Sequence, residues 1–196
     1  MKTRIMLSAL LLLMPLLLLA QPKEVIDAYN LNQTIVGRKM DQLKQLIKEG
    51  NDVNYQYNGR NALHTACNKG YTDMAALLIE AGAEVNSMSE EGAGRTPLQF
   101  VTGDPMEDFS VLTALLLKSG ADPNLDLNPG QAPLFEAIGN AHAASVKVLL
   151  EHGAGTSIKN SMDLTPFEYV NYLIDRGVTD AERKSDWQEI KSLLSN

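Results

Sequence analysis

The chain has 196 residues, a formal net charge of −7, 44% hydrophobic residues and one cysteine, Cys67. Its composition is that of an ordinary globular domain, without a low-complexity tract. The acidic balance disfavours contacts with phosphate backbones and anionic lipid, so neither nucleic acid nor a membrane surface is an expected partner. One thiol cannot form an internal disulfide, so packing alone must hold the fold, and we expect Cys67 to be buried.

Residues 1–20 have the pattern of a secretory signal peptide. Lys2 and Arg4 precede an apolar stretch from Ile5 to Ala20, and polar sequence follows at once from Gln21. This stretch is short for a bilayer-spanning helix, which needs about 20 apolar residues. We therefore expect export, with the signal removed.

Cleavage is expected after Ala20, which leaves a mature domain at 21–196. Residues 1–20 contain two basic and no acidic side chains, so their removal lowers the formal charge to −9. Leu18 lies where a small residue is preferred before the cleavage site, so an uncleaved membrane anchor is an alternative. The expected location is the periplasm, and secretion from the cell is a second alternative.

Two phrases recur in fixed order after the signal. The first combines two aliphatic residues, a central glycine and, in three copies, a final asparagine; it reads LIKEGNDVN at 46–54, LIEAGAEVN at 78–86, LLKSGADPN at 116–124 and LLEHGAGTS at 149–157. The second reads GRNALHTA at 59–66, GRTPLQ at 94–99, GQAPLFEA at 130–137 and DLTPFE at 163–168. The central glycines are 32, 38 and 33 residues apart, and such a period indicates a repeat architecture.

These phrases resemble the ankyrin repeat, and the resemblance covers roughly residues 25–196. It implies an all-α solenoid of helix-turn-helix units with protruding hairpin loops. Because each terminal unit has one solvent-facing side, we expect both to be atypical. The units are an N-terminal cap at about 25–54, repeats at 55–86, 87–124 and 125–157, and a C-terminal cap at 158–196.

The residue types fit this architecture. Thr before Pro, as at Thr96 and Thr165, favours a capped helix with Pro in its first position. Gly70 is placed for the left-handed conformation that ends a helix. In the terminal units, the predicted helices are Val25 to Val36, Met40 to Lys48 and Asp186 to Leu194.

Three segments depart from the regular pattern. Two extra residues lie near Gly92, Ala93 and Gly94, and the connection at 102–108 is about three residues longer than usual. Residues 172–184 add about a dozen residues between the last two predicted helices. Insertions in a solenoid lie on one face and often contact partners, although neutral variation in loops is the alternative.

No catalytic, metal-binding or phosphate-binding pattern is found, so an enzyme, a small-molecule substrate and a cofactor are not expected. His64 lies at the histidine of the ankyrin phrase, where the family's ring usually bonds between adjacent repeats. His142 is predicted in an inter-helix turn and His152 at a helix end, where a cation is favourable. Neither has a second histidine at metal-ligand spacing.

The ankyrin resemblance implies that partners bind at the hairpin tips and along the concave face of the inner helices. The positions that map onto that surface are Tyr55, Tyr57, Asn58, Arg60, Asn68, Lys69, Met88, Glu90, Glu91, Arg95, Asp104, Leu125, Leu127, Asn128, Gln131 and Asn140.

Two pairs of large apolar residues occur where the family usually has Ala and Asp. Tyr55 and Tyr57 are two residues apart, as are Leu125 and Leu127, so each pair is predicted to point to one side of an extended hairpin. Exposed aromatic and aliphatic clusters often mark partner sites. Packing of these side chains against each other along the hairpin row is the alternative.

The sequence therefore predicts a monomeric, non-enzymatic module that binds a protein in the exported compartment. An immunity or inhibitor protein and a protective accessory protein are two forms of this hypothesis, which the residues do not rank. A secreted effector that binds host proteins is the alternative from another class. No motif identifies the partner.

Overall fold

A computed structural model describes residues 21–91, 94–125, 131–176 and 181–195. Within these ranges the secondary structure is helical, and an isolated antiparallel bridge joins Tyr57 and Arg60. The predicted all-α repeat architecture is confirmed. The helices are α1 Lys23–Val36, α2 Met40–Lys48, α3 Ala62–Asn68, α4 Thr72–Glu80, α5 Pro97–Thr102, α6 Ser110–Lys118, α7 Pro133–Gly139, α8 Ala143–Glu151, α9 Pro166–Asp175 and α10 Ala181–Leu194.

The helices form two parallel rows. The odd-numbered helices α1 to α9 pack against one another in chain order, and the even-numbered helices α2 to α10 form the second row. Each helix contacts its partner in the same unit and its counterparts in adjacent units. The core therefore runs as a continuous layer between the rows. None of the helices in the described ranges is long and apolar enough to cross a membrane.

Helix limits match the sequence prediction best at the N-terminus. The helix at Met40–Lys48 is confirmed, and α1 begins at Lys23, two residues before the predicted start. At the other end, the prediction of a dozen-residue connection at 172–184 was wrong, because α9 continues to Asp175 and α10 begins at Ala181. Apolar spacing extends α9 through Leu173 and Ile174, which pack against the core.

The odd-numbered helices form the inner row and the even-numbered helices the outer row. The inner row is anchored by the leucine of the second phrase. Leu63, Leu98 and Leu134 are all no more than 1% exposed. Phe167 occupies the same place in the last described unit, where no further described repeat packs over it, and it is 39% exposed. Burial of this position thus requires a neighbour on each side.

Helix starts in the inner row use side-chain caps. Thr96 and Thr165 each accept a hydrogen bond from the backbone N–H three residues later, and the Gln99 and Glu168 side chains complete reciprocal capping boxes. Asn61 forms the same box before α3, although Pro is absent there. Ala132 precedes α7 and makes no side-chain cap.

Asparagine side chains join successive units. Asn54 donates from Nδ2 to the Gly82 carbonyl at 3.0 Å and accepts from the Glu84 N–H at 2.8 Å. Each amide thereby satisfies one acceptor and one donor that follow a helix end in the next unit. The same pair of bonds joins Asn86 to Gly120 and Asp122, at 2.9 and 2.9 Å, and Asn124 to Gly153 and Gly155, at 3.0 and 2.7 Å.

The C-terminal helix closes the stack. Trp187 is 3% exposed and donates from Nε1 to the Ile138 carbonyl at 2.7 Å. This carbonyl lies in the last turn of α7, where backbone acceptors lack partners within the helix. Ile190, which is fully buried, adds apolar contact from the same helix. α10 therefore covers the end of the core as a cap.

We predict that Leu63→Ala lowers the free energy of unfolding by about 2–5 kcal/mol, because a fully buried leucine would be replaced by a cavity. Urea denaturation measures this loss. Val111→Ala is the control, since Val111 is 72% exposed on α6 and its truncation should change stability by less than about 0.5 kcal/mol. Equal effects of the two substitutions would contradict the assignment of the core.

We also predict that Asn86→Ala lowers the free energy of unfolding by about 1–3 kcal/mol, since it removes two hydrogen bonds between units. Asn171→Ala is the matched control, because this amide donates to Phe167 within its own helix. The control should lose less stability in the same urea titration. A loss as large as that of Asn86→Ala would show that the inter-unit bonds have no special role.

Candidate protein-binding surface

The first hairpin is held in shape by its own backbone. Tyr57 and Arg60 exchange two backbone hydrogen bonds of 2.9 and 3.3 Å. Between them, Asn58 and Gly59 have positive φ angles of 51° and 73°. Asn-Gly is the preferred pair for a two-residue turn of this kind, because both central residues must be left-handed. The exposed Asn58 is therefore presented at a defined tip.

The second hairpin docks on the first. The Glu90 N–H donates to the Gly59 carbonyl at 2.8 Å, and the Gln56 side chain donates to the Met88 carbonyl at 2.7 Å. An ion pair of 2.6 Å joins Arg60 to Glu91. We call residues 55–60 and 87–91 together the hairpin surface. Its exposed members are Tyr55, Asn58, Met88, Glu90 and Glu91.

Two predicted arginines are positioned by one aromatic ring. The guanidinium carbons of Arg60 and Arg95 lie 4.8 and 5.2 Å from the centre of the Phe100 ring. Arg95 also forms a 2.6 Å ion pair with Glu136, which accepts a second hydrogen bond from Thr102. Both arginine side chains are half-buried, so these contacts hold them against Phe100 instead of leaving them extended into solvent.

Phe100 and Glu136 were missed from the sequence. Phe100 is 7% exposed, and its edge also contacts the His64 ring at 5.6 Å. Glu136 lies inside the phrase at 130–137, and Phe100 directly follows the phrase at 94–99. The available signal was an aromatic residue and a carboxylate on inner helices beside two hairpin arginines.

The two tyrosines of the first hairpin have different environments. Tyr55 is 36% exposed, whereas Tyr57 is half-buried and packs edge-on against Tyr29 of α1, with ring centres 5.4 Å apart. Tyr57 thus links the hairpin to the N-terminal cap. Leu125 is half-buried, and its predicted companion Leu127 lies outside the described residues, as does Asn128.

The remaining predicted positions lie apart from the hairpin surface. Asn68 and Lys69 are exposed at the end of α3, and Gln131 is exposed before α7. Asp104 accepts two backbone hydrogen bonds of 2.9 Å within its own connector, and Asn140 donates to the Thr102 carbonyl at 3.3 Å. Gly92 and Ala93, at the longer hairpin, lie outside the described residues. A role of these positions in binding stays a prediction.

His64 links two units, as expected. Its Nδ1 accepts from the Asn61 N–H at 3.3 Å, so the proton is on Nε2, which donates to the Ser87 carbonyl at 3.0 Å. Gln99 repeats this arrangement in the next unit, where its side chain donates to the Gln131 carbonyl at 2.7 Å. Burial lowers the pKa of His64 below its ordinary value of 6.5.

The other two histidines differ in environment. His152 has a ring nitrogen 2.9 Å from the Val148 carbonyl at the end of α8. His142 precedes α8 and is 6% exposed, and its Nδ1 has no hydrogen-bond partner among the described residues. Burial lowers the pKa of His142, although Asp108 and Asp104 act in the opposite direction.

The thiol and the possible metal ligands of the described residues lie apart from one another. Cys67 is fully buried, as predicted, and burial raises the pKa of its thiol, which disfavours the reactive thiolate. The described residues contain no group of three or more His, Cys, Asp or Glu placed to hold a metal ion.

Comparisons with known proteins match this architecture. Residues 33–104 match the family model for ankyrin repeats in three copies. The chain is 39% identical over 100 residues to BCL-6 corepressor-like protein 1 of Homo sapiens, covering 50% of this chain and 5% of that protein. It is 33% identical over 111 residues to B-cell lymphoma 3 protein homolog of Mus musculus, covering 56% and 24% respectively.

A bacterial relative is also similar. An ankyrin repeat-containing protein of Treponema pallidum is 30% identical over 117 residues, which cover 60% of this chain and 38% of that protein. The chain therefore spans well under half the length of each of these three relatives.

We predict that the free energy of unfolding falls as pH drops below about 6.5, because the unfolded chain binds protons at His64 and His142 more readily than the folded chain does. Urea titrations between pH 7.5 and 5.5 measure this slope. His64→Gln should reduce it, since glutamine makes the equivalent two hydrogen bonds at position 99 and does not titrate. An unchanged slope in His64→Gln would exclude a contribution from this histidine.

Proposed function

Because this chain is an ankyrin-repeat protein, we propose that it is a non-enzymatic module whose hairpin surface binds a protein partner. Ankyrin repeats are protein–protein interaction modules. The observation that carries the proposal is the docking of two hairpins by backbone and side-chain bonds, which leaves Tyr55 and Met88 exposed on one ordered surface. A surface ordered before binding loses less conformational entropy on association.

The chemistry of the hairpin surface suits a mixed apolar and polar interface. Tyrosine and methionine are enriched in interface cores, and Tyr55 and Met88 are 36% and 44% exposed. Glu90 is exposed beside them, and Glu91 is partly balanced by Arg60. With a chain charge of −7, a partner that presents basic residues around an apolar centre is favoured.

We place this function in the periplasm, on the pattern of residues 1–20. There the module acts either as an immunity or inhibitor protein or as a protective accessory protein. These two roles differ in their effect on the partner, since the first suppresses its activity and the second preserves it. A secreted effector that binds host proteins is the alternative class.

Affinity capture tests this proposal. The tagged protein, residues 21–196, is incubated with periplasmic extract of its own organism, and the retained proteins are identified by mass spectrometry. One stoichiometric partner would support the module, and assays of that partner with and without the protein would separate inhibition from protection. Capture from host extract alone would favour the effector.

We predict that Met88→Ala weakens binding of the captured partner by about 1–2 kcal/mol, since it truncates an exposed apolar side chain of the hairpin surface. Calorimetric titration measures the affinity. Met162→Ala is the matched control, because Met162 is 46% exposed but belongs to the last unit. Both variants should keep the wild-type melting temperature, and equal losses of affinity would place the interface elsewhere.

A further inference from the structure

A cleft of about 440 Å³ lies away from the hairpin surface. Its walls come from the connector between α5 and α6, the turn between α7 and α8, and the beginning of α10. The connectors follow the odd-numbered helices, whereas the hairpins precede them. The cleft therefore lies at the C-terminal ends of the inner helices, and the hairpin surface lies at their N-terminal ends.

The long connector forms one wall because Asp108 fixes it to the next unit. Its Oδ2 accepts from the backbone N–H groups of Ala144 and Ser145 at 3.1 and 3.3 Å, and its Oδ1 accepts from the Ser145 hydroxyl. Phe109 follows, and its ring occupies the space that a Cβ on Gly70 would fill. The extra residues of this connector are thus an ordered part of the cleft.

His142 contributes a buried group without a partner. It lines the cleft, is 6% exposed, and its Nδ1 makes no hydrogen bond to any described residue. Buried polar atoms in folded proteins are nearly always hydrogen-bonded, so this ring nitrogen in the cleft wall is a candidate hydrogen-bond partner for a bound ligand.

The charged groups around the cleft are mainly acidic. Asp108, Asp186 and Glu189 line it, and Arg183 is the cation among the described lining residues. Arg183 donates from Nη2 to the Pro105 carbonyl at 3.5 Å. Arg183 and Asp186 each make further interactions. Carboxylate oxygens accept hydrogen bonds and do not donate them when ionised. Among the described lining residues, three carboxylates therefore face one guanidinium, and the cleft carries an excess of negative charge and of acceptors.

The rim adds an apolar contact. Met106 is 82% exposed beside Pro105 at the mouth of the cleft. A ligand with an aliphatic stem and a cationic, donor-only head would cover this rim and reach the carboxylates. Lysine has this form, with a flexible four-carbon stem and three N–H donors on a compact charge.

We propose that the cleft receives a lysine side chain of the protein partner, with its stem on Met106 and its ammonium group among Glu189, Asp186 and His142. This inference rests on the proposed function, because the lysine belongs to the bound protein. It adds a second contact site to the hairpin surface and names the chemistry of the partner segment that reaches it.

The test titrates the protein, purified after expression of the full chain, with the peptide acetyl-Gly-Lys-Gly-amide. Nitrogen-15 NMR of the histidine rings is the readout, with the His142 signals assigned from a His142→Gln spectrum. We expect a saturable shift of the His142 Nδ1 resonance. The peptide acetyl-Gly-Gln-Gly-amide, which lacks the charge, should cause none; an equal shift with this peptide, or no shift with either, would overturn the proposal.

Two variants that each remove one negative charge distinguish binding in the cleft from nonspecific attraction of the peptide to the acidic protein. Glu189→Gln should raise the dissociation constant of the lysine peptide by about 2- to 5-fold, the range of an exposed ion pair. Glu151→Gln, at the end of α8 and outside the cleft, should leave it unchanged. Equal effects of both variants would contradict a specific site.

The captured partner then distinguishes the two proposals. Glu189→Gln should weaken partner binding by a similar 2- to 5-fold, while Glu151→Gln should not. If the partner binds through Met88 but is insensitive to Glu189→Gln, the cleft proposal fails and the proposed function stands. If the lysine peptide shifts His142 but no partner is captured, the proposed function fails.

Discussion

The asparagine amide between units is the interaction on which the repeat stack depends. In three successive copies, one side chain bonds to a carbonyl and an N–H in the loop that follows the next unit's outer helix. Helix ends leave such backbone groups without intrahelical partners. In these three copies one unit thus completes the hydrogen bonding of its successor, and the buried leucines of the inner row belong to one continuous core.

The repeating parts of the fold could be predicted from the sequence. His64 and the helix at Met40–Lys48 were predicted correctly because each lies at a position that recurs from unit to unit. The burial of Cys67 was predicted correctly because it is a lone thiol. The end of the chain was predicted less well. Residues 172–184 lie between and beyond the recurring phrases, which therefore do not constrain helix length there, and the helices extend into the expected loop.

The candidate surfaces were less predictable for a related reason. Tyr57 packs on Tyr29, Arg95 pairs with Glu136, and Asp108 bonds to Ser145. Each contact joins different units, and it depends on how far one unit is rotated relative to the next. That rotation is not encoded in any single phrase. The sequence could place hairpin tips in general, but it could not tell which side chains face solvent and which link neighbours.

The two kinds of inter-unit bond also differ in what they specify. The asparagine amides bond to backbone atoms, which the loops at 82–84, 120–122 and 153–155 offer in the same pairing, so they do not distinguish one of these units from another. The bonds from Arg95 to Glu136 and from Asp108 to Ser145 require particular side chains in the following unit. The order of the units along this stack is therefore specified by a few contacts between unlike side chains. A chain with shuffled or duplicated units would keep the asparagine bonds between neighbours but lose these specific pairings.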